Sequence, residues 1–243
     1  IICSQTEGTL TNTTRIKVSV DRSKVQGAAI GKITVKSEAA QANVIIHVVV
    51  ENVLENIKEE ICPMMFVESN GVIAMEAEHY YSKQTSLKNE IVCLEEFGRT
   101  LSGMKVFPQM QEFSVEEAPK LTYCCYVNEE AEYEVQLYFA PTNPVTWNGN
   151  LSYSLKVNEN IASEYQIFHE NYVSGTIECI EWKEAALNNI RICKSTHRLQ
   201  KGKNFIEFGF MNSAIVLERV VLVNQRYRKR DTYLGPLESY FIS

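Results

Sequence analysis

The chain has 243 residues, a formal net charge of -6 and 22% charged residues. That length accommodates one large or two modest domains with a sizeable core. The acidic balance argues against nucleic acid as a partner, and no apolar run approaches the roughly 20 residues of a membrane span.

The sequence starts at Ile1 without an initiator methionine or a signal peptide, and reads as a piece of a longer protein. Its compartment is therefore not written at its N-terminus. Seven cysteines leave at least one without an intrachain disulfide partner. Cys124 and Cys125 are adjacent in a strand-like run and point to opposite faces, so they do not bond each other. The spacing of zinc sites is missing. The plain reading of these thiols is small buried hydrophobes, which would suit a reducing or anaerobic setting, with a disulfide as the alternative.

Residues 1–50 read as strand, turn, strand, strand. Residues 15–20 alternate, a turn falls near 25–27, and residues 30–35 and 44–50 follow as strands. The pattern resembles the second half of a bacterial immunoglobulin-like module, which needs about 100 residues when complete. A partial immunoglobulin-like β segment is expected here. Residues 51–62 form a linker with a short helix, on the four-residue spacing of Val53, Ile57 and Ile61, ended by Pro63.

Residues 63–243 read as strand and turn throughout. Tyr133, Val135, Leu137 and Phe139 share one face, as do Leu151, Tyr153, Leu155 and Val157. Such alternation means a sheet with one buried face. Asn148-Gly149 and Lys201-Gly202 are turn signals, and residues 205–210 and 214–223 supply closing strands. The expected fold is all-β: a jelly-roll β-sandwich. Trp182 lies in a glutamate-rich stretch that fits neither strand nor turn.

A glycosidase needs two carboxylates facing each other across a cleft, and abundant glutamates do not establish that. The chain carries no G-x-S-x-G, HExxH or glycine-rich phosphate loop. His79, His169 and His197 are the histidines that folding would have to bring to a cysteine for thiol chemistry. No catalytic residue is assigned.

Four ordered stretches carry a family likeness: GVIAMEAEHYY at 71–81, FGRTLSGMKVFP at 97–108, NNIRICKSTH at 188–197 and YLGPLES at 233–239. Together they resemble the C-terminal region of glycoside hydrolase family 115, the xylan alpha-glucuronidases, over about residues 65–240. The resemblance implies an accessory, non-catalytic, carbohydrate-binding-module-like domain with an upstream catalytic domain as its partner. It implies a structural or dimerisation role as a homodimer. A carbohydrate-binding module for xylan, glucuronoxylan or a related acidic polysaccharide is the alternative. It also implies a parent protein working outside the cytoplasm, extracellular or periplasmic.

The stretch at 75–79 further resembles the first strand of carbohydrate-binding-module families 6 and 35, where two glutamates help hold a structural calcium. Period two would put Glu76 and Glu78 on one strand face, and the resemblance implies Glu218 as the acid near the last strand. An ordinary hydrogen-bonded strand face is the rival reading, and His79 stands where those families have aspartate. For sugar, Trp147 in its amide-rich loop is the first candidate and Tyr80 and Tyr81 are the next, each weighed against simple packing. Arg99 suits a glucuronate carboxylate or a structural acid. Gly98, Gly103 and Gly235 read as backbone devices. The basic run at 226–230 reads as a solvated loop, or as a contact for an acidic partner surface.

Overall fold

The alternating stretches pair into sheets in the computed structural model. It describes all residues except 10–13, 15, 22–23, 26–28, 38, 51–56, 58–60, 146–148, 228–231 and 243. The chain divides into two compact units, residues 1–59 and 60–243.

In the first unit β1 (Ile2–Cys3) pairs antiparallel with β2 (Val18–Ser19). β3 (Ala29–Ser37) pairs antiparallel with β4 (Ala42–Val50), in register from Ala29↔Val50 to Ser37↔Ala42. The strand expected at 15–20 shortens to β2, with residue 15 outside the described set. Of the linker and helix expected at 51–62, residues 51–56 and 58–60 lie outside the described set; Ile57 is helical, and residues 61–62 are not.

The second unit contains β5 (Met65–Val67), β6 (Val72–Glu76), β7 (Ser82–Gln84), β8 (Glu90–Leu94) and β9 (Gly103–Phe107). It continues through β10 (Lys120–Val127), β11 (Ala131–Phe139), β12 (Ser152–Val157) and β13 (Ser163–Gln166). Helix α1 (Ile180–Asn188) follows, then β14 (Arg191–Leu199), β15 (Gly202–Phe210), β16 (Val216–Asn224) and β17 (Phe241–Ile242). One sheet runs β13-β12-β15-β10-β5-β17, with β7 also on β10. The other runs β14-β11-β16-β9-β8, with β6 also on β16. Among the described residues, strand pairings are antiparallel except that of β5 with β10.

The inward faces make the core. Tyr133, Val135, Leu137 and Phe139 of β11 meet Tyr153, Leu155 and Val157 of β12 and Ile206, Phe208 and Phe210 of β15. Phe139 lies 5.4 Å from Tyr153 and 5.8 Å from Phe208, tilted in both cases. Each such side chain stabilises the fold by roughly 1.5–3 kcal/mol on burial. Cys125 faces this core, while Cys124 is disulfide-bonded to Cys62. The two adjacent cysteines do point to opposite sides.

Helix α1 corrects the reading of this region as strand and turn alone. It buries only Ala185 and ends on Asn189 in the left-handed conformation. One buried position in nine residues makes no apolar stripe, so periodicity could not announce it. Trp182, unplaced from sequence, belongs to this helix.

Candidate functional site

Three of the four family-like stretches meet around the end of β6. Ile73, Met75 and Ala77 point into the core, as alternation requires. The strand ends at Glu76, and the amide of His79 donates to the Glu76 carbonyl at 3.0 Å in a turn. Glu78 therefore sits in that turn rather than on the strand face it was expected to share with Glu76.

The loop at 97–103 is held by three carboxylates. Glu218 accepts the Arg99 backbone amide at 2.8 Å. Glu76 accepts the Thr100 hydroxyl at 2.8 and 2.9 Å. Glu78 accepts the Ser102 hydroxyl, and the Cys93 thiol at 3.0 Å. Gly98 permits the fold of this loop, since a Cβ there would lie 2.6 Å from the Ser102 carbonyl oxygen.

The tail is held from the same place. Arg219, opposite Glu76 in the β16–β6 register, brings its Nε to 3.1 Å from Glu76 Oε1. Its Nη1 donates to the Leu234 carbonyl at 3.0 Å and its Nη2 to the Pro236 carbonyl at 2.6 Å. Ser239 and Ala74 exchange hydrogen bonds of 2.8 and 3.0 Å. Glu238 accepts from the Glu76 amide at 3.1 Å and meets His79 Nδ1 at 2.7 Å. Gly235 adopts a φ of +75°, a conformation natural to glycine.

Burial pushes the Glu76 carboxyl above its ordinary range against the pull of Arg219 and Thr100. Burial pushes Glu218 up as well, against the Arg99 amide and guanidinium. Partial burial acts upward on Glu78 too. Hydrogen bonds from Ser102 and Cys93 outweigh it and hold that carboxyl low. Calcium takes six to eight oxygens. Glu76 and Glu78 answer instead to a guanidinium, two hydroxyls and a thiol, and no three His, Cys, Asp or Glu converge on a metal position among the described residues. The donor set does not fit a calcium ion.

Of the described residues expected to bind sugar, Tyr80 and Tyr81 adjoin in the chain, and Arg99 lines a cavity that includes neither. Trp147 lies outside the described residues. Tyr80 packs on the core and lines a cavity of about 290 Å³ with Glu78, His79 and Cys93. Tyr81 is 42% exposed, its ring 5.5 Å from Phe205. Arg99 lies over the Tyr233 ring at 4.1 Å and lines a different cavity, of about 860 Å³. Of the basic run, Arg226 pairs with Glu129 at 2.8 Å, and residues 228–230 are outside the described set. His197 meets Ser195 Oγ at 2.9 Å, and Cys93 bonds Glu78 rather than a histidine.

Sequence reasoning did not single out Arg191, which lines the larger cavity. Its guanidinium sits over Phe168 at 4.6 Å and Tyr172 at 4.9 Å and bonds Glu181 of α1. The signal available was an arginine opening a strand, directly after the buried Ile190.

The model of the glycosyl hydrolase family 115 C-terminal domain matches residues 65–238. No curated protein matches the chain. Among solved structures, a family GH115 4-O-methyl-alpha-glucuronidase with specificity for decorated arabinogalactans is 15% identical, at a TM-score of 0.44. That match covers 60% of this chain and 18% of the other. A GH26-CBM35 beta-(1,4)-mannanase from Podospora anserina is 13% identical, TM-score 0.42, over 66% of this chain and 29% of that one. A family 35 carbohydrate binding module from Clostridium thermocellum is 17% identical, TM-score 0.40, over 62% and 97%.

Proposed function

Because the chain belongs to glycosyl hydrolase family 115 through its C-terminal domain, we propose that it is the non-catalytic accessory end of an alpha-glucuronidase-like, xylan-debranching hydrolase. Its work there is structural: it stabilises and orients the upstream catalytic domain and pairs the enzyme as a homodimer. One observation carries this reading. The family-like stretches at 71–81, 97–108 and 233–239 spend polar groups on one another and on Arg219 of β16. Glu76 holds Thr100 and Arg219, Glu78 holds Ser102, and Glu238 holds His79. Residues that brace a domain in this way serve its shape. The Cys62–Cys124 disulfide suits a parent working in an oxidising compartment outside the cytoplasm.

Two measurements test the proposal. Incubation with glucuronoxylan should release no uronic acid; release would overturn the accessory role. Sedimentation velocity should report a dimer; a monomer at all concentrations would remove the dimerisation part.

A further inference from the structure

Helix α1 is held to the sandwich by very little. It is nine residues long, and isolated helices shorter than about 12–15 residues are marginal in water. Its N-cap, Cys179, makes no side-chain capping bond, and no basic residue stands in its last turn. Only Ala185 is buried, while Ile180 and Leu187 stay exposed. The preceding loop leaves Val173 and Ile177 exposed as well, and turns through Gly175 at a φ of +79° with nothing packed against it. Segments with so few buried contacts lie at the low-stability end of a fold, where opening is local.

One polar tie fastens the helix. Among the described residues α1 makes a single ion pair, Glu181 with Arg191. The two partners stand on different ground. Arg191 opens β14, is buried, and lies over the Phe168 and Tyr172 rings. Glu181 rides on the helix, its side chain partly exposed. The pair is monodentate: Glu181 takes Nη1, and Nε and Nη2 meet no acceptor among the described residues. A one-point pair is weaker than the two-point fork of which an arginine is capable.

The space beside the helix is hollow. A cavity of about 860 Å³ is lined by Glu181, Ala185 and Asn188 of α1 together with Tyr153, Tyr165 and Cys193 of the sheets. A helix packed on its sheet at the density of a protein interior leaves no such space. We propose that α1, with the loop at 169–179, is a lid on this cavity, latched by Glu181 on Arg191 and able to open while the sandwich stays folded. The device is independent of the structural role proposed above.

The chain carries its own reporters. Cys193 lines the cavity, its thiol donating to the Ile167 carbonyl at 3.8 Å. Cys125 is fully buried in the core and does not line the cavity. Labelling of the native full chain with iodoacetamide, followed thiol by thiol by peptide mass spectrometry, tests the lid. Cys193 should react at least about tenfold faster than Cys125, since local opening outruns global unfolding. Glu181→Gln removes the charge of the latch and should speed Cys193 at least about tenfold, the size of a lost charge-assisted hydrogen bond, with Cys125 unchanged. Should an unpaired Arg191 prevent that variant from folding, Ala185→Gly weakens the helix alone and should speed Cys193 at least about threefold. Cys193 reacting as slowly as Cys125 in the wild type would overturn the lid, because the cavity would open only with the whole domain. A Cys193 rate untouched by folded Glu181→Gln would overturn the latch, and one untouched by Ala185→Gly would overturn the lid. Equal acceleration of both thiols would also overturn it, as a loosening of the entire sandwich.

Discussion

Arg219 and Glu76 face each other on adjacent strands, Nε to Oε1 at 3.1 Å, with side chains only 2% and 7% exposed. The other two nitrogens of the guanidinium hold the carbonyls of Leu234 and Pro236, and the carboxylate also takes the Thr100 hydroxyl. One ion pair therefore joins β6, β16, the 97–103 loop and the tail. An isolated buried pair is weak evidence of stability, because desolvation offsets attraction. This one has further hydrogen bonds on both partners, which is the condition under which such a pair holds a structure together.

Gly98→Ala should loosen the loop from its carboxylates. The added methyl would lie 2.6 Å from the Ser102 carbonyl oxygen and 3.4 Å from Glu218 Oε2, and backbone must move to admit it. A loss of about 1–3 kcal/mol is expected from urea unfolding, the usual size of an overpacking penalty. An unchanged midpoint would show that the loop has room.

The cost of Glu218→Gln should depend on pH. Burial raises the Glu218 carboxyl above its ordinary 4.5 in the folded state. The folded chain then binds more protons than the unfolded one just above 4.5, so this group's contribution is full below that value and is lost as pH rises through the folded pKa. His197 runs the other way: burial lowers it from 6.5, and its contribution fades as pH falls. Comparing wild type with the variant cancels His197. The variant should lose more stability at about pH 5 than at about pH 7. A larger loss at neutral pH would reverse the sign and refute the burial effect.

Thiol titration of the denatured, unreduced chain should find five free cysteines: Cys3, Cys93, Cys125, Cys179 and Cys193. Reduction should lower stability by about 2–4 kcal/mol, because the Cys62–Cys124 bond closes a long loop of the unfolded chain. Finding all the cysteines free before reduction would contradict the bond.

Much of the sandwich was legible because alternation is a local property. The faces of β11 and β12, and the opposed directions of Cys124 and Cys125, follow from residues one and two apart. Helix α1 was illegible because Ala185 is its sole buried residue. Glu78 was misplaced because alternation does not say where a strand ends. The Glu76–Arg219 pair joins residues far apart in the chain, and only cross-strand register brings them together. Arg191 was hidden for a similar reason: its aromatic partners Phe168 and Tyr172 come from a separate loop.

A double-mutant cycle on Glu76→Leu and Arg219→Met, read by urea unfolding, tests most directly whether the family-like stretches build the domain. Each single variant leaves a buried charge without its partner and should cost about 3–5 kcal/mol. The double variant should cost less than the sum, with a coupling of at least about 1 kcal/mol. Single costs near zero, or costs that simply add, would contradict the account.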